Sequence, residues 1–242
     1  MDNLTERETW KTYWDNYLPE LVSSTNQFSR LFENIADGNG QKEFIEIGGF
    51  PGTFAIYFKK FKNYKVTLLD YFIEEKHVND LLQVNGFSKS DITILEADLF
   101  NHQLSLKYDL VFSSGLIEHF EDTKNVISKH IDFLKSDGKL LITLPNFRGL
   151  NGWVQKALHK EMYDIHNIKC MNIGYLKEIC GQLPLKNIRV DYFGKPMLWL
   201  EYNAPVSKLT RRLVWFASMA MKFVPFKSRL ISPYIYIEAD MA

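Results

Sequence analysis

Between Glu43 and Pro145 the chain repeats one pattern, a short apolar run followed by a stretch at helical spacing. The runs fall at 43–48 (EFIEIG), 65–70 (KVTLLD), 91–97 (DITILEA), 108–113 (YDLVFS) and 139–144 (KLLITL). Each is rich in β-branched residues and bounded by Gly, Asp, Asn or Pro, the appearance of parallel strands buried on both faces. Helical periodicity occupies 53–62, 73–85 and 121–135. In the last of these Val126, Ile127, His130, Ile131 and Leu134 share a face, and Asp122 or Thr123 supplies the cap. Alternating strand and helix fold as an open, doubly wound parallel α/β sheet.

Beyond Pro145 the pattern loosens. The loop NFRGLNG leads to a helix near 152–160, the irregular stretch EMYDIHNIKCMN, a helix over 173–181 and a strand over 186–193. The segment RRLVWFASMAMKFVPFKSR then precedes a closing strand in ISPYIYIEAD. Ahead of the first strand, Trp10, Tyr13, Trp14, Tyr17, Leu21, Phe28, Leu31, Phe32 and Ile35 recur at largely helical spacing. No repeat, low-complexity tract or linker divides the 242 residues, a length one core can serve. A single domain over 1–242 is expected, with a helical cap over 1–40 and a core over 42–145. The 29 basic and 29 acidic residues cancel, so no global field attracts nucleic acid or an anionic membrane and only local patches need be considered. Cys170 and Cys180 fit no ligand or disulfide framework and read as free thiols. The polar start MDNLTERETWKTYW is not a secretory signal, and nowhere do eighteen uncharged apolar residues run together. A cytoplasmic protein is expected.

The first strand ends in FIEIGGFPGTF. Gly48, Gly49 and Gly52 stand where it must turn into its helix, which in a parallel sheet is where ligands bind. Without a Cβ, glycine allows close approach and backbone angles closed to other residues. About twenty residues on, Asp70 ends the second strand and is followed by Tyr71; an acid at that spacing accepts hydrogen bonds from both ribose hydroxyls. Turn and acid together indicate a nucleoside. A nicotinamide dinucleotide calls for G-x-G-x-x-G and a pyrophosphate at the helix N-terminus, whereas the order here is E-x-G-x-F-x-G. Glu46 would repel a pyrophosphate and suits a cationic aminopropyl group, which favours S-adenosylmethionine.

Four motifs in order, EIGGFPG, LLDYF, EADLF and YDLVFSSGLIEHFED, resemble those of the class I S-adenosylmethionine-dependent methyltransferases over residues 42–145. The resemblance implies a Rossmann-like seven-stranded sheet of order 3-2-1-4-5-7-6, its last strand antiparallel, with helices on both faces and S-adenosyl-L-methionine as cofactor. It gives Asp70 to the ribose, Asp98 to the adenine amine and Leu99 to the base. Ser113, Ser114, Gly115 and Leu116 pass under the sulfonium and methionine portion, and Glu46, Gly48, Gly49, Gly52 and Tyr71 complete the cofactor set. Phe50 departs from the family, standing where its middle glycine belongs. Its ring is expected to turn outwards against the following helix, with Pro51 fixing the entry to that helix. A cofactor-binding protein without turnover is the alternative that Phe50 supports; a nicotinamide-dependent oxidoreductase is the more distant one.

Methyl transfer is an in-line displacement in which the protein mainly aligns the partners, and an oxygen acceptor also needs a base. His119 in GLIEHF and His166 in MYDIHN are the candidates; the plainer reading of each is a histidine bonded to backbone or lying in a loop. Glu118 and His119 resemble part of a Glu-x-x-Glu-His run that holds a divalent ion in some quinone-pathway O-methyltransferases. Gly115 occupies the first ligand position, so no metal is expected. The stripe Trp10, Tyr13, Trp14 and Tyr17 suits plain packing or a helix over the site. Leu209–Arg229, basic at its ends and apolar at its centre, suits a helix that connects the last two strands and packs on the sheet, or one at a membrane interface. The run LPNFRGLNG with DIHN looks like bacterial methyltransferases of cell-surface glycan and natural-product pathways. That likeness implies O-methylation of a small-molecule acceptor, sugar or lipid-linked, with 146–185 and 203–230 on the acceptor side. Nucleic acid is not an expected partner, because no basic groove, aromatic-basic surface or Asn-Pro-Pro-Tyr-type run is present.

Overall fold

The computed structural model describes residues 7–15, 17–101, 106–201 and 204–242. Helices α1 (Arg7–Trp14) and α2 (Ser29–Phe32) precede β1 (Glu43–Ile47), α3 (Thr53–Lys62), β2 (Lys65–Asp70), α4 (Glu75–Val84), β3 (Ile92–Glu96) and β4 (Tyr108–Ser114). After a short 3₁₀ turn at Ile117–His119 come α5 (Thr123–Ile131), β5 (Leu134–Pro145), α6 (Leu150–Leu158), α7 (Lys160–Asp164), α8 (Ile173–Gly181), β6 (Leu185–Phe193), α9 (Lys208–Met221) and β7 (Tyr234–Met241). The strands form one sheet ordered β3-β2-β1-β4-β5-β7-β6. Strands β1 to β5 run parallel, and β7 lies antiparallel between β5 and β6. This is the order, and the reversed last strand, that the sequence motifs imply.

The apolar runs are continuous because both faces of the sheet are covered. Phe44, Leu68, Leu110, Phe112 and Leu141 point to one side, where α2, α3 and α4 contribute Phe28, Phe32, Ile56, Phe58, Val78 and Leu81. Their strand neighbours Ile45, Val111, Leu140 and Ile142 point to the other, against Val126, Ile127 and Ile131 of α5 and Leu176 and Ile179 of α8. Asp122 caps α5, its carboxylate accepting the Asn125 N–H at 3.0 Å. That helix stops at Ile131, short of the expected 135, because Leu134 already pairs with Tyr108 across a register shift in β4–β5. Cys170 and Cys180 are free and buried.

The segment around 209–229, which follows β6 and precedes β7 in the chain, does not bury an apolar face on the sheet. Ser218 is the one buried residue of α9. No helix among the described residues is long and apolar enough to cross a membrane.

Candidate active site

Strand order reverses between β1 and β4, the point at which an open parallel sheet leaves a crevice beyond its strand ends. A cavity of about 680 Å³ lies there. Gly48 begins the turn with φ 64°, and its N–H donates to the Leu69 carbonyl at 2.8 Å. A Cβ on Gly48 would come within 2.5 Å of Leu116, which lines the same cavity. Gly49 is required for another reason, since its Cβ would lie 2.1 Å from the Glu46 side chain.

Glu46 lines the cavity and also secures the helix after the turn. Its carboxylate accepts the Ala55 N–H at 2.7 Å, in the first turn of α3, where the N-cap residue Gly52 has no side chain to offer. Burial pushes the Glu46 carboxyl up to about 8, against the opposing pull of the Ala55 and Phe54 amides and with a further push from Asp70. Asp70 closes the turn from the other side, one carboxylate oxygen accepting the Phe50 N–H at 2.9 Å and the other the Phe72 N–H at 3.0 Å. Burial raises its carboxyl to about 6 despite these bonds. A buried and a half-buried acid, both with raised carboxyls, fit a ligand bringing hydroxyl donors and positive charge, as S-adenosylmethionine does. They do not fit a pyrophosphate.

Asp98, Leu99, Tyr71, Ser114, Gly115 and Leu116 all line this cavity. Asp98 shapes its own loop, accepting the Phe100 N–H at 2.9 Å and the Asn101 amide at 2.7 Å. Gly115 has φ 69°. Two residues of the expected cofactor set lie elsewhere. Gly52, at φ 103°, faces Leu68 and Ile92 under the turn and does not line the cavity. Ser113 points through the sheet, as strand alternation requires of the neighbour of Ser114. Its hydroxyl lies 2.9 Å from Nε2 of the buried His130, whose Nδ1 donates to the Val126 carbonyl. Phe50 also differs from expectation. Its ring is buried among Trp14, Phe72 and His77, with centroids at 5.5, 5.5 and 6.1 Å.

On the acceptor side, His119 and His166 meet although 47 positions apart, their rings 4.7 Å between centroids. Each spends one ring nitrogen on backbone, His166 Nδ1 on the Met162 carbonyl at 2.6 Å and His119 on Ile165. Burial lowers His119 to about 3, helped by His166, and lowers His166 to about 4, so both are neutral imidazoles at physiological pH. Glu118 beside them is buried, with one carboxylate oxygen lacking a hydrogen-bond partner and its carboxyl raised to about 8 by burial. Ligand atoms of Glu118, His119 and His166 lie within 4.8 Å of one another, a donor set that could hold a divalent ion. His166 thus supplies the third donor that the sequence, with Gly115 in the first place, does not show.

Helix α1 covers the cavity. It has no buried residue, and Trp10, Tyr13 and Trp14, on one face at helical spacing, line the space beneath it. Trp10 packs edge-on to His119 at 4.9 Å, and Arg7 of α1 pairs with Glu96 at the end of β3. The far wall holds Phe147, Trp199 and Tyr234, the last two stacked at 5.6 Å. Sequence reasoning missed Trp199 and Tyr234 because neither sits in a motif, and it read Glu118 only as a metal ligand.

Residues 16–190 match a family described as a methyltransferase domain. The chain belongs to this family of S-adenosylmethionine-dependent methyltransferases. Membership removes the nicotinamide oxidoreductase alternative. Solved structures agree in fold. A SAM-dependent methyltransferase from Archaeoglobus fulgidus is 19% identical with a TM-score of 0.56, over 88% of this chain and 91% of that one. Haemonchus contortus phosphoethanolamine N-methyltransferase 2, bound to S-adenosyl-L-methionine, is 17% identical with a TM-score of 0.59, over 96% of this chain but 56% of its own. A Haloferax volcanii putative methyltransferase in complex with the activator Trm112 is 12% identical with a TM-score of 0.56, over 86% of this chain and 84% of that one. No curated protein matches this methyltransferase.

Proposed function

We propose that this methyltransferase moves a methyl group from S-adenosyl-L-methionine to a hydroxyl of a small sugar or lipid-linked acceptor. The carrying observation is the contact of His119 with His166 inside the cavity that Glu46, Gly48, Gly49 and Asp70 also line. The cofactor supplies an electrophilic methyl on a sulfonium. Asp70 holds hydroxyl donors, Glu46 meets positive charge, and Ser114, Gly115 and Leu116 form the floor between cofactor and acceptor halves. His166, a neutral imidazole with Nδ1 fixed on the Met162 carbonyl, can take up the proton of an acceptor hydroxyl through its other nitrogen, and His119 is the second candidate beside it. Aromatic walls from Phe147, Trp199 and Tyr234 suit the apolar faces of a sugar ring or the head of an amphipathic molecule.

In this reading the single domain comprises the cap over 1–40, the core over 42–145, and acceptor-side segments at 146–185 and 203–230. The enzyme works from the cytoplasm in peripheral contact with a membrane, and no metal takes part. The test is transfer of labelled methyl to glycolipid extracts and small hydroxylated acceptors by wild type, His119→Ala and His166→Ala. At least one variant should lose about tenfold or more in turnover, a threshold set below the roughly 10²–10⁴-fold typical of a general base. Unchanged turnover in both would sink the base assignment, and label found only on nitrogen would sink the hydroxyl acceptor.

A further inference from the structure

Helix α9 turns its apolar side away from the protein. Arg211, Val214, Ser218 and Met221 share the inward face at helical spacing and are buried or partly covered. On the opposite side Leu209, Leu213, Phe216 and Phe223 are 61–87% exposed, with Trp215 at 57% beside them. Phe226 and Leu230 extend the exposed apolar surface into the segment that follows. A contiguous patch of side chains this large requires a cover.

Charge selects the cover. From Ala204 to Ile237 the chain carries six basic residues and no acid, in a protein whose net charge is zero. Arg211 is turned inward, donating to the Glu201 and Ala204 carbonyls at 2.9 and 2.8 Å. Lys208, Arg212, Lys222, Lys227 and Arg229 are exposed, with Lys227 also lying over the Phe193 ring. An apolar stripe whose own segment carries cations and no acid matches an anionic phospholipid interface, with its side chains among the upper acyl groups and its cations among the phosphates. A second copy is a poorer cover, because a two-fold contact on this face would bring its cations against their own symmetry mates. At 14 residues, α9 is too short to span and long enough to lie in the plane of the interface.

The patch is tied to the cavity along α9 and again just beyond it. The Ser218 hydroxyl accepts the Leu198 N–H at 3.0 Å, and the adjoining Trp199 and Glu201 line the cavity. Beyond α9, the Arg229 and Leu230 carbonyls accept from the Asn146 side chain and the Leu150 N–H, both at 2.8 Å. Pro145 and Phe147, on either side of Asn146, line the cavity as well.

We infer that α9 and the segment to Leu230 dock this methyltransferase on anionic phospholipid membrane and set the acceptor wall of its cavity at the bilayer surface. Delivery of a lipid-carried acceptor rests on the function proposed above; the docking itself does not.

The experiment is co-sedimentation with vesicles of phosphatidylcholine alone and of phosphatidylcholine mixed with phosphatidylglycerol. Wild type should partition about tenfold or more in favour of the anionic vesicles, and high salt should erase the preference. The triple variant Leu213→Glu, Phe216→Glu, Phe223→Glu changes only exposed positions and should lose binding by about tenfold or more. The pair Arg212→Glu, Lys222→Glu should lose the anionic preference. Three results would overturn the inference: no wild-type binding to anionic vesicles, undiminished binding by the triple variant, or a wild-type dimer that the triple variant dissociates. Calorimetry with S-adenosylhomocysteine on the same preparations separates the two readings. Cofactor binding without lipid binding overturns docking, and the peripheral membrane contact with it, but leaves methyl transfer standing; lipid binding without cofactor binding overturns the methyl-transfer reading alone.

Discussion

Glu46→Gln tests the electrostatics of the cofactor half directly. The wild-type carboxyl is raised by burial from 4.5 to about 8, so the folded protein holds this proton more tightly than the unfolded chain. Its contribution to stability is therefore complete below pH 4.5 and is lost as pH rises through about 8. Linkage at about 1.4 kcal/mol per pH unit puts the loss near 4 kcal/mol by pH 7.4. Glutamine cannot ionise, and its carbonyl oxygen can still accept the Ala55 N–H, although the new NH₂ group brings a buried-donor cost of about 1–3 kcal/mol. Without cofactor, the variant should be no more stable than wild type at pH 5 and more stable by about 1–3 kcal/mol at pH 8.5. In a chain this size that is roughly 2–4 °C in Tm per kcal/mol. The assay is chemical denaturation at both pH values. Asp70 and Glu118 also have raised carboxyls and tilt both curves alike, so the difference between the proteins is the quantity that counts. A difference that does not change with pH refutes the reasoning. With S-adenosylhomocysteine the preference should reverse, the variant binding about tenfold to a hundredfold more weakly through loss of a charge-assisted contact to the ammonium.

Asp70→Ala should weaken S-adenosylhomocysteine binding by about tenfold to a hundredfold in calorimetry; unchanged affinity would detach Asp70 from the ribose. Ser113→Ala leaves the buried His130 short of a partner and should cost about 1–3 kcal/mol in denaturation with cofactor affinity intact. A loss of affinity there would return Ser113 to the cofactor set. Methyl transfer should survive a chelator. Loss in chelator that a divalent ion restores would make Glu118, His119 and His166 a working metal site.

The central sheet is legible because its signals are local. The central strands β1, β2 and β4 are short runs whose residues alternate between two covered faces, and Asp122 marks the start of α5 by the one hydrogen bond a cap must make. The cofactor half is legible for the same reason, since turn and acid are fixed by strand ends. Ser113 is misplaced by alternation, since Ser113 and Ser114 are equivalent in sequence and only the pleat decides that Ser114 faces the cavity; Gly52 serves the turn from beneath it. The acceptor half is not local. His166 reaches His119 through the loop between α7 and α8, and Trp199 meets Tyr234 across residues with no shared period. Composition alone leaves α9 undecided, because an apolar helix flanked by bases reads the same whether its stripe faces the sheet or the solvent.

Phe50 shows why a departure from a family pattern need not disable a site. The position has no positive φ, so it makes no demand that only glycine meets. What the turn needs from it is a backbone N–H for Asp70, which any residue except proline provides. The side chain is thus free to take another task, and it fills the space between Trp14, Phe72 and His77. Burying such a ring contributes roughly 2–3 kcal/mol, a large share of what holds a helix with no buried residue of its own. Glycine at 50 would leave α1 with less to rest on. Flexibility in the turn comes from Gly48 on one side and Gly52 on the other, and Gly49 makes room for Glu46. The phenylalanine belongs to the cover of the cavity more than to the loop that carries it.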